Sequence, residues 1–422
     1  MQTVGFVLVA LGILGFGVVS GRLQRSVITP PMVFTAYGFL IGPSLLGLQS
    51  FSIDTPWIHG LAELALILVL FTDASRIDLR VLQREHDIPV RLLVIGLPLT
   101  IVLGTLLAVG ILGAHLEFWE AAALAVLLAP TDAALGQAVV SSKLVPVRIR
   151  QALNVESGLN DGIVLPVLLL VLSFAGMADE GGAGYWGRFV ALQLILGPLV
   201  GVAVGYLGGR VVAWCGENGW MTHTFQDLSA LGLSLLAFAG AELIGGNGFI
   251  AAFTAGITIG NCCRSVCSCL YEFAEAEGQL LTLLIFMVFG LVMVPLALEH
   301  VGWQFLAYAV LSLTIIRMLP VALSVIGLGL QPATTVFVGW FGPRGIASIL
   351  FVLLVIEEFD LAGEETILAA AVTTVLLSVL AHGLSAFPAS KWYSEHITTR
   401  APEGGEHLPV SDLPVRLPMP SE

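Results

Sequence analysis

Long apolar runs separated by short polar connections fill nearly the whole chain. A bilayer core needs about 20 apolar residues per helix, and reading the runs at that length predicts about thirteen transmembrane helices. They lie near 2–20, 27–48, 58–75, 92–113, 119–141, 151–175, 189–213, 227–244, 247–261, 279–298, 302–326, 332–356 and 366–388. The first run does not read as a cleaved signal, because Arg22 and Arg25 follow the apolar stretch instead of preceding it. It is expected to stay as the first span, with the N-terminus outside.

Basic residues test the count, since an error of one span would scramble their alternation between connections. Arg22 and Arg25 follow the first span, Arg76, Arg80, Arg84 and Arg91 the third, and Lys143, Arg148 and Arg150 the fifth. Arg210 ends the seventh, Arg264 follows the ninth, and Lys391, Arg400 and Arg416 fall in the tail, so only Arg188, Arg317 and Arg344 stand elsewhere. The arginine-rich side is expected to be the cytoplasm, which puts the C-terminus inside. Residues 391–422 are rich in Pro, Glu and Ser and are expected to form a short disordered cytoplasmic tail, leaving 1–390 as the transmembrane domain. The expected fold class is an all-α polytopic membrane protein.

Composition agrees and narrows the function. The 422 residues are 57% hydrophobic and 11% charged, with mean hydropathy +0.95, against about 25% charged in an ordinary soluble domain. A cytosolic enzyme is excluded. Seventeen basic residues against thirty acidic ones give a net charge of −13, which excludes a nucleic-acid partner because no basic stripe is present to engage phosphates. Much of the acidic excess falls in outward connections, among them Asp54, Glu117, Glu120, Glu299, Glu357 and Glu364. Cys262, Cys263, Cys267 and Cys269 sit together in CCRSVCSC, and Cys215 stands apart. They read as reduced thiols in a short loop, with metal binding or S-acylation as alternatives. The eight histidines are scattered without an HExxH pair, so no metal cofactor is expected. Ser157 has no His or Lys on its span to serve as a base, which argues against an enzyme.

Charges inside spans cost several kcal/mol and are functional by default. They are Asp73 in span three, Asp132 in span five, Glu156 and Asp161 in span six, Arg317 in span eleven and Arg344 in span twelve, with Glu63 and Glu242 nearer span ends. Pro130 breaks span five beside Thr131 and Asp132, and Gly342, Pro343 and Gly345 break span twelve around Arg344. Irregular backbone at membrane depth is tolerated only where it lines a protein cavity. Two interrupted helices, one in each half of the chain, point to a transporter site where two repeats meet.

In span six, Asn154, Ser157 and Asp161 share one helical stripe with Asn160 adjoining, while Glu156 points elsewhere. Such hard oxygen donors suit a monovalent cation or a proton. Asp132 and Asp161 would place two mutually repelling carboxylates near one site, so that cation and proton compete for the same oxygens. That competition suffices for antiport. Glu156 and Arg317 form the natural neutralised pair. Oxygen ligands alone do not fix cation size, so Na+ or Li+ and K+ both stand, with a cation channel as the alternative of another class.

These residues resemble the NhaP-type sodium/proton antiporters of the monovalent cation/proton antiporter-1 family, through LFTDASRIDL, APTDAA, NVESGLNDG, NGFIAAFTAG and WFGPRGIAS in family order. The resemblance implies two inverted repeats and a homodimer in the lipid of the cell inner membrane. Spans 1–3 and 7–10 would be a dimerisation scaffold, and spans 4–6 and 11–13 a mobile ion-carrying core. It implies Asp161 as carrier beside Asn160, Na+ held by Asp161, Ser157 and Thr131, and Asp132 supporting the site. Arg344 would offset facing helix ends, and Asp73 would border the ion path. The family usually has Gly-Leu-Arg-Gly where this chain has Gly342-Pro343-Arg344-Gly345. Relatives with two aspartates at the carrier pair are electrogenic, so Asn160 implies electroneutral exchange.

Overall fold

The structure, a computed structural model, describes residues 2–23, 26–49, 51–53, 55–84, 87–176, 182–263, 278–300, 302–359, 361–400 and 406. Among the described residues there are helices and no strands. In chain order these are α1 (Gln2–Leu23), α2 (Pro30–Ile41), α3 (Pro56–Ser75), the short α4 (Leu79–Arg84) and α5 (Asp87–Leu112). Next come the half-helices α6 (Phe118–Leu127) and α7 (Ala133–Val140), then α8 (Val147–Gly176) and α9 (182–217). They are followed by α10 (His223–Glu242), α11 (Gly248–Cys262), α12 (Gly278–Glu299) and α13 (Trp303–Ser324). The second broken helix is α14 (Pro332–Trp340) with α15 (Ile346–Glu358), and α16 (Glu364–Arg400) closes the set.

Nine described helices are long and apolar enough to cross a membrane, and four more are shorter and apolar. Lipid offers the helices no hydrophobic reason to associate, so close packing through small residues has to do so. Gly256 and Gly260 of α11 lie where a Cβ would strike the Phe71 and Ser75 carbonyls of α3, so only glycine lets the two backbones approach. Asn261 then ties the end of α11 to the exit of α3, donating to the Ile77 carbonyl and accepting from the Leu79 N–H, each at 2.9 Å. α1 is the opposite case, exposed along nearly its whole apolar length.

The predicted runs land on helices, with the two expected breaks and two boundary corrections. Span two was expected over 27–48, but α2 stops at Ile41 because Gly42 turns extended ahead of Pro43. Spans five and twelve are interrupted where Pro130 and the Gly342–Gly345 segment stand. The tail expected to be disordered from 391 instead continues as helix to Arg400, passing through Pro388. Tyr393 and Ile397 supply the reason, since both are buried in an apolar cluster with Phe337 of α14, and the Tyr393 and Phe337 rings stack at 4.1 Å. Glu406 is also buried, accepting from Gln331 N–H and the Thr334 hydroxyl at the start of α14. The remaining tail, and Cys267 and Cys269 of the cysteine cluster, lie outside the described residues. Cys262 is exposed and Cys263 buried.

Candidate functional site

The two breaks meet. Asp132 is the N-cap of α7, its Oδ1 accepting from the Ala134 and Leu135 N–H groups at 2.6 and 3.4 Å. Its Oδ2 accepts from Ile346 N–H, the first helical residue of α15, at 2.7 Å, and its own N–H donates to the Pro343 carbonyl at 2.7 Å. One carboxylate thus caps two half-helices whose N-terminal dipole ends are positive. Gly345 makes this possible, because a Cβ there would collide with the Asp132 carboxylate.

The opposite charge serves the carbonyl end. Arg344 is fully buried, and its Nη1 donates to the carbonyls of Ala129 and, at 3.0 Å, of Pro130, just beyond the end of α6. Ser348 adds a hydroxyl donor to the Leu127 carbonyl at 2.8 Å. The carbonyls left without helical partners where α6 ends are satisfied from the other break.

Beside this crossing the polar residues of α8 are sorted as the helical spacing predicts. Glu156 and Arg317, each 3% exposed, form a two-point ion pair at 2.5 and 2.8 Å. Arg317 fits because Gly342 leaves the room its guanidinium occupies. On the neighbouring face Asn160 Nδ2 donates to Thr131 Oγ1 at 2.7 Å, and Thr131 Oγ1 lies 3.0 Å from Ser157 Oγ. Asn160 Oδ1 is buried with no hydrogen-bond partner among the described residues. Thr131, Ser157, Asn160 and Asp161 are all buried, the first three in contact through the Thr131 hydroxyl and Asp161 next to Asn160 in the chain. Such a donor set fits a small hard cation. No group of three or more His, Cys, Asp or Glu that could hold a metal ion occurs among the described residues.

Two spaces flank these oxygens along α8. A cleft of about 10 Å³ is lined by Asp73, Arg76, Ile77, Ala133, Asn154 and Gly158. Asp73 therefore borders the cleft. On the other side a cavity of about 300 Å³ lies between α3, α9, α10 and α11 on one wall and α8 and α15 on the other. Leu169 lines it, eight residues beyond Asp161 on α8, or about 12 Å at helical rise. Glu63 and Glu242 line it as well, with Glu242 also capping α11 by accepting from Gly248 N–H at 2.7 Å. His59 of α3 and Glu357 of α15 approach to 3.0 Å within its lining.

Three residues escape reading by sequence: Ser348, Ser378 and His382. Ser378 Oγ accepts the Arg344 N–H at 2.7 Å, and His382 bonds the Trp340 carbonyl at 2.8 Å. Their signal was a polar pair four residues apart in the apolar run AVTTVLLSVLAHGLSA.

Comparison with known proteins follows the same lines. A K+/H+ antiporter, NhaP of Alkalimonas amylolytica, is 26% identical over 400 residues, 93% of this chain and 67% of that protein. The Na+/H+ antiporter NhaG of Bacillus atrophaeus is 25% identical over 286 residues, 65% of this chain and 53% of that protein. The structure of the sodium proton antiporter MjNhaP1 from Methanocaldococcus jannaschii at pH 8 superposes with a TM-score of 0.76 over 93% of this chain and 97% of that one, at 18% identity, and so shares the fold. The model of the transmembrane sodium/hydrogen exchanger family matches residues 6–392. With nearly the whole chain matched, the protein belongs to the sodium/hydrogen exchanger family, whose members here are cation/proton antiporters and not enzymes.

Proposed function

We propose that this chain is an electroneutral Na+(Li+)/H+ antiporter working by alternating access, with cation and proton competing for Asp161. The observation that carries the reading is the buried oxygen cluster of Thr131, Ser157 and Asn160 beside Asp161, set between the small cleft and the larger cavity. Asn160 contributes an orphaned oxygen but no titrating charge, which supports one proton for one cation. Na+ would be held by Asp161, Ser157 and Thr131, with Asn160 Oδ1 as a further ligand. Asp132 acts on the site through the half-helices it caps, Glu156 with Arg317 is its fixed ion pair, and Arg344 with Pro130 shapes the break. Asp73 acts at the cleft.

The basic residues support a sidedness: with Arg76 at its lining, the cleft would face the cytoplasm and the larger cavity the outside. Spans one to three and seven to ten, α1–α3 and α9–α12, would be the static scaffold. Spans four to six and eleven to thirteen, α5–α8 and α13–α16, would be the core, and the larger cavity has walls from both. A homodimer in the cell inner membrane is part of the same reading. K+/H+ exchange is the second reading, favoured by the name of the relative that matches 93% of the chain.

Proton flux decides. Liposomes bearing the protein and an imposed pH gradient receive Na+, Li+ or K+. One or more of these should collapse the gradient in the parent and none in Asp161→Asn, and the series gives selectivity. A gradient that no cation collapses at any pH contradicts antiport. Cation entry without proton movement would make the protein a channel.

A further inference from the structure

Four half-helix ends face the crossing, and each needs a partner at membrane depth. Asp132 serves the N-terminal ends of α7 and α15, and Arg344 the carbonyl end of α6. The fourth, the carbonyl end of α14, meets His382. Its Nε2 lies 2.8 Å from the Trp340 carbonyl, an oxygen that can only accept, so Nε2 carries the proton. Nδ1 stands 3.1 Å from the Ser378 hydroxyl and 3.0 Å from the Ser378 carbonyl. Ser378 Oγ in turn accepts the backbone N–H of Arg344 at 2.7 Å. Three contacts thus run in series across the break: Arg344 N–H to Ser378 Oγ, Ser378 Oγ to His382 Nδ1, and His382 Nε2–H to the Trp340 carbonyl. The ring is 1% exposed and stacked on Trp340 at 5.0 Å.

The chain of contacts does not stop at the break. Arg344 follows Pro343, whose carbonyl accepts from Asp132 N–H, and Asp132 follows Thr131, which bonds Ser157 and Asn160. From the Ser378–His382 pair on α16 to the oxygens beside Asp161, each link is a hydrogen bond or a peptide bond. We propose that His382 and Ser378 are positioning residues of the cation site: they hold the two ends of the second helix break at the spacing that sets Thr131 against Ser157 and Asn160. This rests on the antiport reading for its effect on transport, though not for its effect on structure.

The test compares His382→Gln, which keeps an amide N–H for the Trp340 carbonyl, with His382→Met, which fills the volume without a donor, and Ser378→Ala. Two readouts are taken on each full-length protein. The first is the KM for the cation that the parent transports, in proteoliposomes. It should rise about fivefold in His382→Met and Ser378→Ala, the scale of one lost hydrogen bond, and stay within twofold of the parent in His382→Gln, with the maximal rate changed less than KM. The second is amide hydrogen exchange across 341–346, which needs no transport. Arg344 N–H should exchange faster in Ser378→Ala and His382→Met and at the parental rate in His382→Gln. Parental exchange and parental KM in Ser378→Ala would overturn the proposal, as would a glutamine variant no better than methionine. A silent parent with the expected exchange pattern would instead fail the antiport reading and leave the brace standing.

Discussion

The Glu156–Arg317 pair shows how charge is held within the described helices. Both groups are nearly fully buried and bonded at two points, so removing one partner strands a charge where no water reaches it. Arg317→Ala should destabilise the protein by about 3–5 kcal/mol, read as a lower melting temperature in detergent. Glu156→Gln with Arg317→Met together should recover most of the loss, because neither charge is then left alone. Gly345→Ala tests the other contact. The added methyl falls on the Asp132 carboxylate, so a cost of about 1–3 kcal/mol and a sharp loss of transport are expected. The same substitution at Gly278, which has open space around it, should do little. The pairing of residues 156 and 317 was legible in the sequence because two opposite charges inside spans have few ways to coexist. The work of Asp132 as a cap on two half-helices was not, because it depends on Ile346 arriving from the other half of the chain.

Among elements, the half-helices and the α3–α15 contact govern what can move. The breaks were readable from Pro130 and Pro343, since proline removes a donor wherever it falls. Their mutual satisfaction was not, because a sequence does not say which orphaned carbonyl meets which donor. The end of the last span was misread from composition: a tail rich in Pro, Glu and Ser suggested disorder from 391, yet burial of Tyr393 and Ile397 against α14 carries α16 on to Arg400. Within the lining of the larger cavity His59 and Glu357 join α3 to α15, with Glu63 and Glu242 on the same walls and no Lys or Arg among its described lining. A thiol reporter at Gln193, inside the cavity, should react faster from outside in Glu357→Ala than in the parent at the same pH, because the α3–α15 contact is then lost. Equal rates would show that the contact does not restrict the cavity.

Across the whole molecule, one family-wide architecture leaves the choice of ion and the charge moved per cycle to a few side chains. Residues 6–392 match the exchanger family as a unit, and the spacing of apolar runs had already marked the helices one by one. On the proposed reading, charge balance is set at Asn160: with amide in place of carboxylate, the loaded core would carry the same net charge whether it holds a proton or a monovalent cation. An imposed membrane potential should therefore leave the exchange rate within about 20% of its value at zero potential, a tolerance of order 0.1 kcal/mol on the barrier. Asn160→Asp adds a second carboxylate to the site, and exchange in that variant should respond to voltage.

The most direct measurement is the cation dependence of transport over a series of pH values held equal on both sides of the liposome membrane. If proton and cation compete for Asp161, KM for the cation rises tenfold per pH unit on the acid side while the maximal rate at saturating cation holds steady. A KM indifferent to pH, with the maximal rate falling instead, would mean that the two ions do not share Asp161, and the central claim would be wrong.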